Sequence, residues 1–385
     1  MKALPLWKVK RELKRFSYKL LKIVPDTWEY LTLTLKYDYM MSNKRKYHIG
    51  ETEVLSEVAI YLIYPVNGLL QSHIQYIIEL KSKGVTPVVV SNFPLRSDDL
   101  KLLKTHCGMV IERPNIGYDF GGYRDAILAL ESRFSELETL YVFNDSAWMI
   151  DAQRSWFDDA AASGRDFCGA TSYYGVRRYS DEHFREIEWR YTPEHRNFHY
   201  ASYALAIRSN ILRDPAFIKF WRNLRLSNDK TRTVRRGEIG LSQWVLKRGY
   251  SHGATCDVQN LDQEIKNLSS DELDMVARHL VITDNPRLLQ KRDDILESDP
   301  NSIEGVSDRI NIILTSVSLK AVGYALPYYT IKYRGFQFVK KSPLWLSRDS
   351  STIMLEILDG LDGRLGRLAC KEAHEIANEK ALEPM

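Results

Sequence analysis

The stretch RPNIGYDFGGYRDAI (113–127) contains a glycine-rich, Asp-bearing loop that runs into a predicted helix. A second stretch, ETLYVFNDSAWMI (138–150), holds a short apolar strand that ends in the polar triplet Asn144-Asp145-Ser146. In an open α/β sheet, ligands bind at the carboxyl ends of strands and beside helix N-termini. Two polar loops in such positions predict a site for an anionic, hydroxyl-rich ligand, such as a nucleotide sugar.

Apolar runs and amphipathic segments alternate on both sides of these loops. Strands are predicted at 58–64, 86–91, 109–111, 140–143, 167–171, 200–207 and 251–257, and helices at 69–81, 98–107, 123–130, 156–163, 215–224 and 238–248. This alternation predicts an α/β domain, with a mostly parallel sheet flanked by helices, over residues 51–265. Residues 1–50 and 266–385 are predicted to be helical N- and C-terminal extensions.

Composition excludes several classes of protein. The chain has 385 residues, 44% hydrophobic and 27% charged, with a net charge of +4, which gives no basis for nucleic-acid binding. The four cysteines lack metal-site spacing, which favours reduced thiols in the cytoplasm. No secretory signal and no run of about 20 apolar residues is evident, so we expect no spanning helix.

Two segments have a composition that suits a membrane surface. Residues 5–24 place apolar side chains at spacings of three and four among many lysines and arginines, as in a helix lying on anionic lipid. The alternative is a helix packed on the main domain with a solvated basic face. Residues 316–345 mix aromatic and basic side chains, which suits a bilayer interface, although a subdomain that covers the core is the favoured interpretation.

Three groups of residues are candidates for chemistry. The loop with Asn115, Gly117 and Asp119 permits close approach of backbone to a ligand and offers a carboxylate to hydroxyl groups, but it is neither a Walker nor a dinucleotide motif. Asp145 is suited to a metal–diphosphate or a sugar hydroxyl, and Glu238 to a general base. A tight turn, an Asx turn and a helix cap are the corresponding structural interpretations.

Five segments together resemble the rhamnan synthesis F family of glycosyltransferases, relatives of the family 2 enzymes with the GT-A fold. In chain order they are RPNIGYDFGGYRDAI, YVFNDSAWMI, FHYASYALAIRSNIL, FIKFWRNL and GEIGLSQWVLKRGY, within roughly residues 55–260. The resemblance implies a GT-A-like, Rossmann-like sheet.

The resemblance also implies roles for individual residues. Glu238 stands at the catalytic-base position, and the triplet stands where the family 2 enzymes carry a metal-binding Asp-x-Asp. Asp145 is then the one carboxylate left for Mn²⁺ or Mg²⁺, unless arginines replace the ion. The implied donor-binding residues are Tyr64, Asn115, Gly117, Asp119, Asn144, Asp145 and Ser146; the acceptor-binding residues are Ser202, Tyr203 and His199; and the candidate arginines are Arg113, Arg124, Arg177 and Arg178.

The implied function is transfer of a sugar, with L-rhamnose from deoxythymidine-diphosphate rhamnose (dTDP-rhamnose) as the expected donor, to a growing cell-surface polysaccharide or lipid-linked glycan such as lipopolysaccharide. Inversion at the anomeric carbon is expected. The enzyme would act in the cytoplasm, peripherally on the inner face of the plasma membrane. The alternative is a non-catalytic, nucleotide- or glycan-binding member of a polysaccharide assembly complex.

Overall fold

A computed structural model describes residues 28–381 of the chain. The predicted amphipathic helix at 5–24 therefore lies outside the described residues. From residue 28 the chain is helical to residue 35 and continues through a π-helical turn, Lys36–Met40, and a 3-10 turn, Ser42–Lys44.

Eight strands form the main sheet. The twelve strands of the described chain are β1 (Lys46–Ile49), β2 (Glu57–Ile63), β3 (Thr86–Ser91), β4 (Met109–Glu112), β5 (Thr139–Asn144), β6 (Ala147–Met149), β7 (Phe167–Gly169), β8 (Ser172–Tyr173), β9 (His199–Tyr200), β10 (Ala204–Arg208), β11 (His252–Ala254) and β12 (Phe338–Lys340). The order in the sheet is β1-β4-β3-β2-β5-β10-β7-β11. Strands β2 to β5 run parallel, β10 is antiparallel to both of its neighbours, and β1 is antiparallel to β4. The predicted class, an α/β fold with a mostly parallel sheet flanked by helices, is confirmed.

Helices cover both faces of this sheet. Up to β11 they are Gln71–Ser82, Ser97–His106, Tyr118–Leu130, Trp156–Ala162, Ser209–Leu212, Pro215–Asn223, Lys230–Val234 and Gly240–Arg248. After β11 they are Leu261–Lys266, Ser270–Arg278, Pro286–Leu296, Ile303–Leu319, Val322–Ala325, Pro327–Arg334, Pro343–Leu346, Arg348–Asp359 and Gly363–Ala381.

The side chains of β2 divide between two cores, because successive residues of a strand point to opposite faces. Val58, Ile60 and Leu62 belong to the core beneath the Tyr118–Leu130 helix. Ala59, Tyr61 and Ile63 belong to the larger core on the other face, which also takes in side chains of the C-terminal helices. The segment after residue 260 is thus packed onto the sheet.

Several predicted elements need correction. Residues 1–50 were expected to be helical, but Lys46–Ile49 is an edge strand paired with β4. The helix predicted at 123–130 begins at Tyr118, so Gly121 and Gly122 lie in its first turns. The extension beyond residue 265 is helical except for β12, which pairs with β6 near the middle of the chain. The predicted domain boundaries stay predictions.

The aromatic and basic segment at 316–345 is largely buried. Tyr324, Tyr329, Phe336 and Phe338 are each less than a tenth exposed. This burial agrees with the favoured interpretation of a covering subdomain. Between residues 28 and 381, no helix has both the length and the apolar character that crossing a membrane requires.

The start of the Tyr118–Leu130 helix depends on the absence of a side chain at Gly121. A Cβ there would lie 2.1 Å from the backbone oxygen of Ile116. Gly121→Ala should therefore lower the free energy of unfolding by about 1–3 kcal/mol, the usual penalty for overpacking. The measurement is urea unfolding, read as a change in midpoint at constant slope.

Gly240→Ala is the matched control, since its Cβ would lie no closer than 3.6 Å to its nearest neighbour, the Arg235 oxygen. That variant should differ from the parent by less than about 0.5 kcal/mol, or gain slightly from helix propensity. Equal unfolding midpoints for the two variants would contradict the packing argument.

Candidate functional site

A cavity of about 500 Å³ opens where β5 ends and the Tyr118–Leu130 helix begins. Its walls come from the triplet after β5, the β8–β9 hairpin, the π-helical turn Arg235–Ile239 and the segment that follows β12. The lining residues are Tyr118, Asp119, Phe120, Asn144, Ser146, Tyr173, His199, Ala201, Ser202, Tyr203, Lys230, Thr233, Val234, Glu238, Tyr324, Lys340, Ser342 and Trp345. Seven of the residues predicted from the sequence are thus brought together: Asp119, Asn144, Ser146, His199, Ser202, Tyr203 and Glu238.

The buried side chain of Asn144 organises the loop side of the cavity. Its Nδ2 donates to Asp119 Oδ2 at 3.0 Å and to the Tyr123 hydroxyl oxygen at 2.9 Å. Its Oδ1 accepts from the backbone N–H and the hydroxyl of Ser146. Tyr123 in turn donates to the backbone oxygen of Ser202 at 2.9 Å. One amide therefore links the glycine-rich loop, the strand end and the segment before β10.

Glu238 lines the same cavity from the π-helical turn, and not from the start of a helix as predicted. The turn packs closely on the Tyr118–Leu130 helix, where a Cβ at Gly237 would lie 2.3 Å from the Phe120 ring. Glu238 Oε1 accepts from the backbone N–H of Ser202 at 3.2 Å and from its hydroxyl. Glu238 Oε2 lies 3.8 Å from His199 Nε2. One carboxylate oxygen is thus held by Ser202, and the other remains for a ligand.

His199 is fixed from two sides. Its Nδ1 lies 2.7 Å from the backbone oxygen of Asn197, an acceptor, so Nδ1 carries a proton. Its ring stacks on that of Tyr173 with centroids 5.0 Å apart. Nε2 is then left facing Glu238, where a protonated ring would form an ion pair.

Four of the predicted donor residues lie outside the cavity lining, and three of them, Tyr64, Asn115 and Asp145, lie close together. Asp145 Oδ2 accepts from the backbone N–H of Tyr64 at 2.7 Å and lies 3.3 Å from His73 Nε2. Asn115 Nδ2 donates to the Tyr64 hydroxyl at 3.4 Å, and the Tyr64 ring packs edge-on against Phe93. Tyr64 and Asn115 are exposed, so these residues form a separate shallow surface, with an aromatic ring, at the end of β2.

Gly117 supplies the backbone geometry of the loop and also lies outside the cavity lining. Its φ of 80° is in the left-handed region that favours glycine. A Cβ there would lie 2.9 Å from Leu226 Cδ2.

The site is a poor match for a divalent cation. Burial alone would raise the pKa of Asp145, but His73, Lys341 and the Tyr64 N–H together hold it below its ordinary value. One oxygen of that carboxylate, Oδ2, is thus already held outside the cavity lining. At the two positions that flank it, Asn144 and Ser146 offer only an amide and a hydroxyl, which bond to each other. The predicted Mn²⁺ or Mg²⁺ at Asp145 stays a prediction that these surroundings do not favour.

Lys340 is the residue of the site that the sequence analysis missed. It belongs to β12, whose pairing with β6 sets Lys340 opposite Ala147, the residue after the triplet. Its Nζ donates to Ser146 Oγ at 2.7 Å and lies 4.7 Å from the centre of the Tyr203 ring. The sequence did contain one signal, a short apolar run with lysines after Gly335. That run lies in the segment 316–345, which was assigned to a membrane interface or to a covering subdomain.

None of the four arginines proposed to replace a metal lines the cavity. Arg113 pairs with Asp125 at 2.8 Å, and Arg124 pairs with Asp38 at 2.7 Å. Arg178 donates to the backbone oxygen of Leu319 at 2.9 Å, and Arg177 stacks on Tyr179. The role of these arginines stays a prediction that their positions outside the cavity lining do not favour.

A family model described as Rhamnan synthesis protein F matches residues 87–305, more than half of the chain. The uncharacterized protein y4gN of Sinorhizobium fredii (strain NBRC 101917 / NGR234) is 31% identical over 262 residues, which are 68% of this chain and 64% of that protein. The chain thus spans less than two thirds of the length of this curated relative.

Solved structures give weaker similarities. The mannosyltransferase PcManGT from Pyrobaculum calidifontis, in complex with GDP-Man and Mn²⁺, aligns at a TM-score of 0.31 and 11% identity, covering 93% of this chain and 94% of that one. The 4-diphosphocytidyl-2C-methyl-D-erythritol synthase of Anaerococcus prevotii aligns at a TM-score of 0.31 and 10% identity, covering 52% and 88%. Neither alignment carries an argument about this chain.

The Asp119 carboxyl should leave a signature in the pH dependence of stability. Burial, with the charges of Asp145 and Glu238, raises its pKa from 3.8 to about 7. The folded chain keeps this proton longer than the unfolded chain, so stability should fall as the pH rises from about 4 to about 7. The Asp119→Asn variant has no carboxyl at this position and should not lose stability in this way. Measured by urea unfolding, its stability relative to the parent should therefore be higher at about pH 8 than at about pH 5.

Asp166→Asn is the control of opposite sign. Although burial opposes it, hydrogen bonds from Ser251 and Asn210 lower the pKa of Asp166, so its ionised form stabilises the fold above its ordinary pKa. The Asp166 variant should lose stability relative to the parent at about pH 8. The same pH trend in both variants would contradict the assignment for Asp119.

Proposed function

The chain belongs, as its motifs predicted, to the rhamnan synthesis protein F family of glycosyltransferase-like proteins, and we propose that it transfers a sugar from a nucleotide donor to a growing glycan. The observation that carries this proposal is the shared cavity: Glu238, a carboxylate with one oxygen left for a ligand, lines it together with the polar strand end at Asn144 and Ser146. Sugar transfer needs a base on one side of the anomeric carbon and a site for the leaving diphosphate on the other.

Glu238 is the general base of this proposal. Its Oε2 takes the proton of the acceptor hydroxyl, whose oxygen attacks the anomeric carbon. The bond from that carbon to the diphosphate oxygen breaks, and its electron pair leaves with the diphosphate. A single displacement of this kind inverts the anomeric configuration. Ser202 holds Oε1 and so fixes the direction in which Oε2 points.

The donor is divided between the two surfaces described above. Tyr64, Asn115 and Asp145 are proposed to hold the base and ribose, with the exposed Tyr64 ring as the stacking platform. Asp119, Asn144 and Ser146 are proposed to face the sugar and diphosphate in the cavity. Gly117 joins the two parts. dTDP-rhamnose is the proposed donor, on the strength of the family alone.

The acceptor is proposed to enter beside His199, Ser202 and Tyr203, which border Glu238 in the cavity. A polysaccharide or a lipid-linked glycan is the proposed acceptor. For a lipid-linked acceptor, we propose that the protein works on the cytoplasmic face of the plasma membrane, held there by residues 5–24. This membrane proposal is supported by the sequence pattern of residues 5–24, in which apolar side chains recur among many lysines and arginines.

Glu238→Gln tests the base. The amide keeps an oxygen for Ser202 but cannot take a proton, so turnover should fall about 10²- to 10⁴-fold while nucleotide binding persists. Release of nucleoside diphosphate measures turnover, and calorimetry with a panel that includes dTDP-rhamnose measures binding.

Glu136→Gln, an exposed residue paired with Arg133, is the matched control and should keep full turnover. Undiminished turnover in the Glu238 variant would eliminate it as the base. Binding of a nucleotide sugar without transfer by the parent, over a range of glycan acceptors, would favour the non-catalytic assembly member instead.

Removal of residues 1–24 tests the membrane proposal. This segment holds eight lysines and arginines, each worth about 1 kcal/mol at an anionic surface. The truncated chain should sediment with anionic liposomes far less than the full chain, while its turnover on a soluble acceptor is unchanged. Neutral liposomes are the control for the full chain. Equal sedimentation of both forms with anionic lipid would refute the proposal.

A further inference from the structure

We propose that the ammonium of Lys340 takes the place of a divalent cation in this site, binding the donor diphosphate so that sugar transfer needs no metal. This inference rests on the proposed function and adds to it the means by which the leaving group is bound. It also predicts that a residue of the C-terminal extension is part of the catalytic machinery.

Main-chain bonds fix the position of Lys340. Residues of β12 pair with β6, and the backbone N–H of Lys341 donates to the oxygen of Ser146 at 3.0 Å. The Nζ then reaches Ser146 Oγ at 2.7 Å. The ammonium is thus set at the third position of the triplet.

The ammonium has capacity left for a ligand. An ammonium carries three N–H donors, and among residues 28–381 Ser146 Oγ is the one hydrogen-bond acceptor of Lys340. The Tyr203 ring covers it on one side. Two donors therefore remain for the oxygens of a diphosphate. Lys230, exposed at the wall of the same cavity, adds a second positive charge.

The groups around Lys340 do not suit a metal ion in addition. A cation beside Ser146 would be repelled by the ammonium, and Asp145 Oδ2 already accepts from the Tyr64 N–H and lies 3.3 Å from His73 Nε2. Of the two carboxylates in the cavity, Asp119 accepts from Asn144 through Oδ2, and Glu238 accepts from Ser202 through Oε1 while its Oε2 is the proposed base. A fixed ammonium beside the proposed diphosphate site can take the role of a cation, because it stabilises negative charge as that charge develops on the leaving oxygen.

Burial lowers the pKa of Lys340 to about 8, even though Glu238, Asp119 and Asp145 favour its charged form and Lys230 opposes it. At neutral pH most of the ammonium is protonated. As the pH rises through about 8, this charge is lost, and diphosphate binding should weaken. An arginine at this position stays charged and should abolish that weakening.

The first experiment is calorimetry of the full chain with dTDP, UDP and GDP and with their nucleotide sugars, in EDTA and in Mn²⁺ or Mg²⁺. We expect one nucleotide to bind with the same affinity in all conditions. Binding that appears only with metal would overturn the role of Lys340 and leave the glycosyltransferase proposal standing. No binding to any nucleotide sugar in any condition would overturn both.

Variants give the second readout. Lys340→Met should weaken diphosphate binding about 10- to 100-fold and lower kcat/KM further, and Lys340→Arg should restore part of both. Lys332→Met, an exposed lysine of the same extension, should leave both unchanged. Lys340→Met could fail to fold, so its unfolding midpoint is measured as well. If that variant does not fold, the pH profile of diphosphate binding by Lys340→Arg tests the proposal instead. The proposal would be overturned if diphosphate binding by Lys340→Arg still weakened above about pH 8. It would also be overturned if a folded Lys340→Met bound the diphosphate with full affinity.

Discussion

The site depends on the hydrogen bonds of one buried amide, that of Asn144. Both of its N–H groups and its oxygen are engaged, by Asp119, Tyr123 and Ser146. A buried amide without hydrogen-bond partners destabilises the folded state, so the three partners are held in positions where they can bond to Asn144. The end of a parallel strand thereby determines where the helix loop and the following turn can lie.

The effect of this amide extends across the cavity. Tyr123 donates a hydrogen bond to the backbone oxygen of Ser202, and the backbone N–H of Ser202 donates to Glu238 Oε1. The proposed base and the polar strand end are therefore joined by consecutive hydrogen bonds within the folded core. Such preorganisation is what catalysis by oriented charges requires, because groups that are already in place need not be ordered during the reaction.

The sequence was sufficient for those features that local patterns encode. Alternating apolar runs predicted β2, β3 and β5 to within a residue or two, and the polar triplet was correctly assigned to a strand end. The direction of the Asp145 side chain was harder to predict. The alternation of side chains along a strand did give a signal, because Asp145 stands between Asn144 and Ser146. Its backbone N–H still bonds to the oxygen of Leu62 in β2, so its side chain alternates away from those of Asn144 and Ser146.

What could not be predicted was contact between distant, short elements. Strand β12 has three residues, too few for a periodic pattern, and Lys340 lies 194 residues from Ser146 in the chain. The π-helical turn at Glu238 likewise has no sequence signature of its own, since it follows from the packing of Gly237 on Phe120.

The pairing of β12 with β6 has a consequence for biosynthesis. All eight strands of the main sheet have been made once Ala254 leaves the ribosome, yet the cavity lacks its ammonium until Lys340 follows. At about 5–20 residues per second, that interval is on the order of ten seconds. For that time one face of the sheet also lacks the C-terminal side chains that complete the larger core. Completion of both the core and the cavity is thus timed by translation.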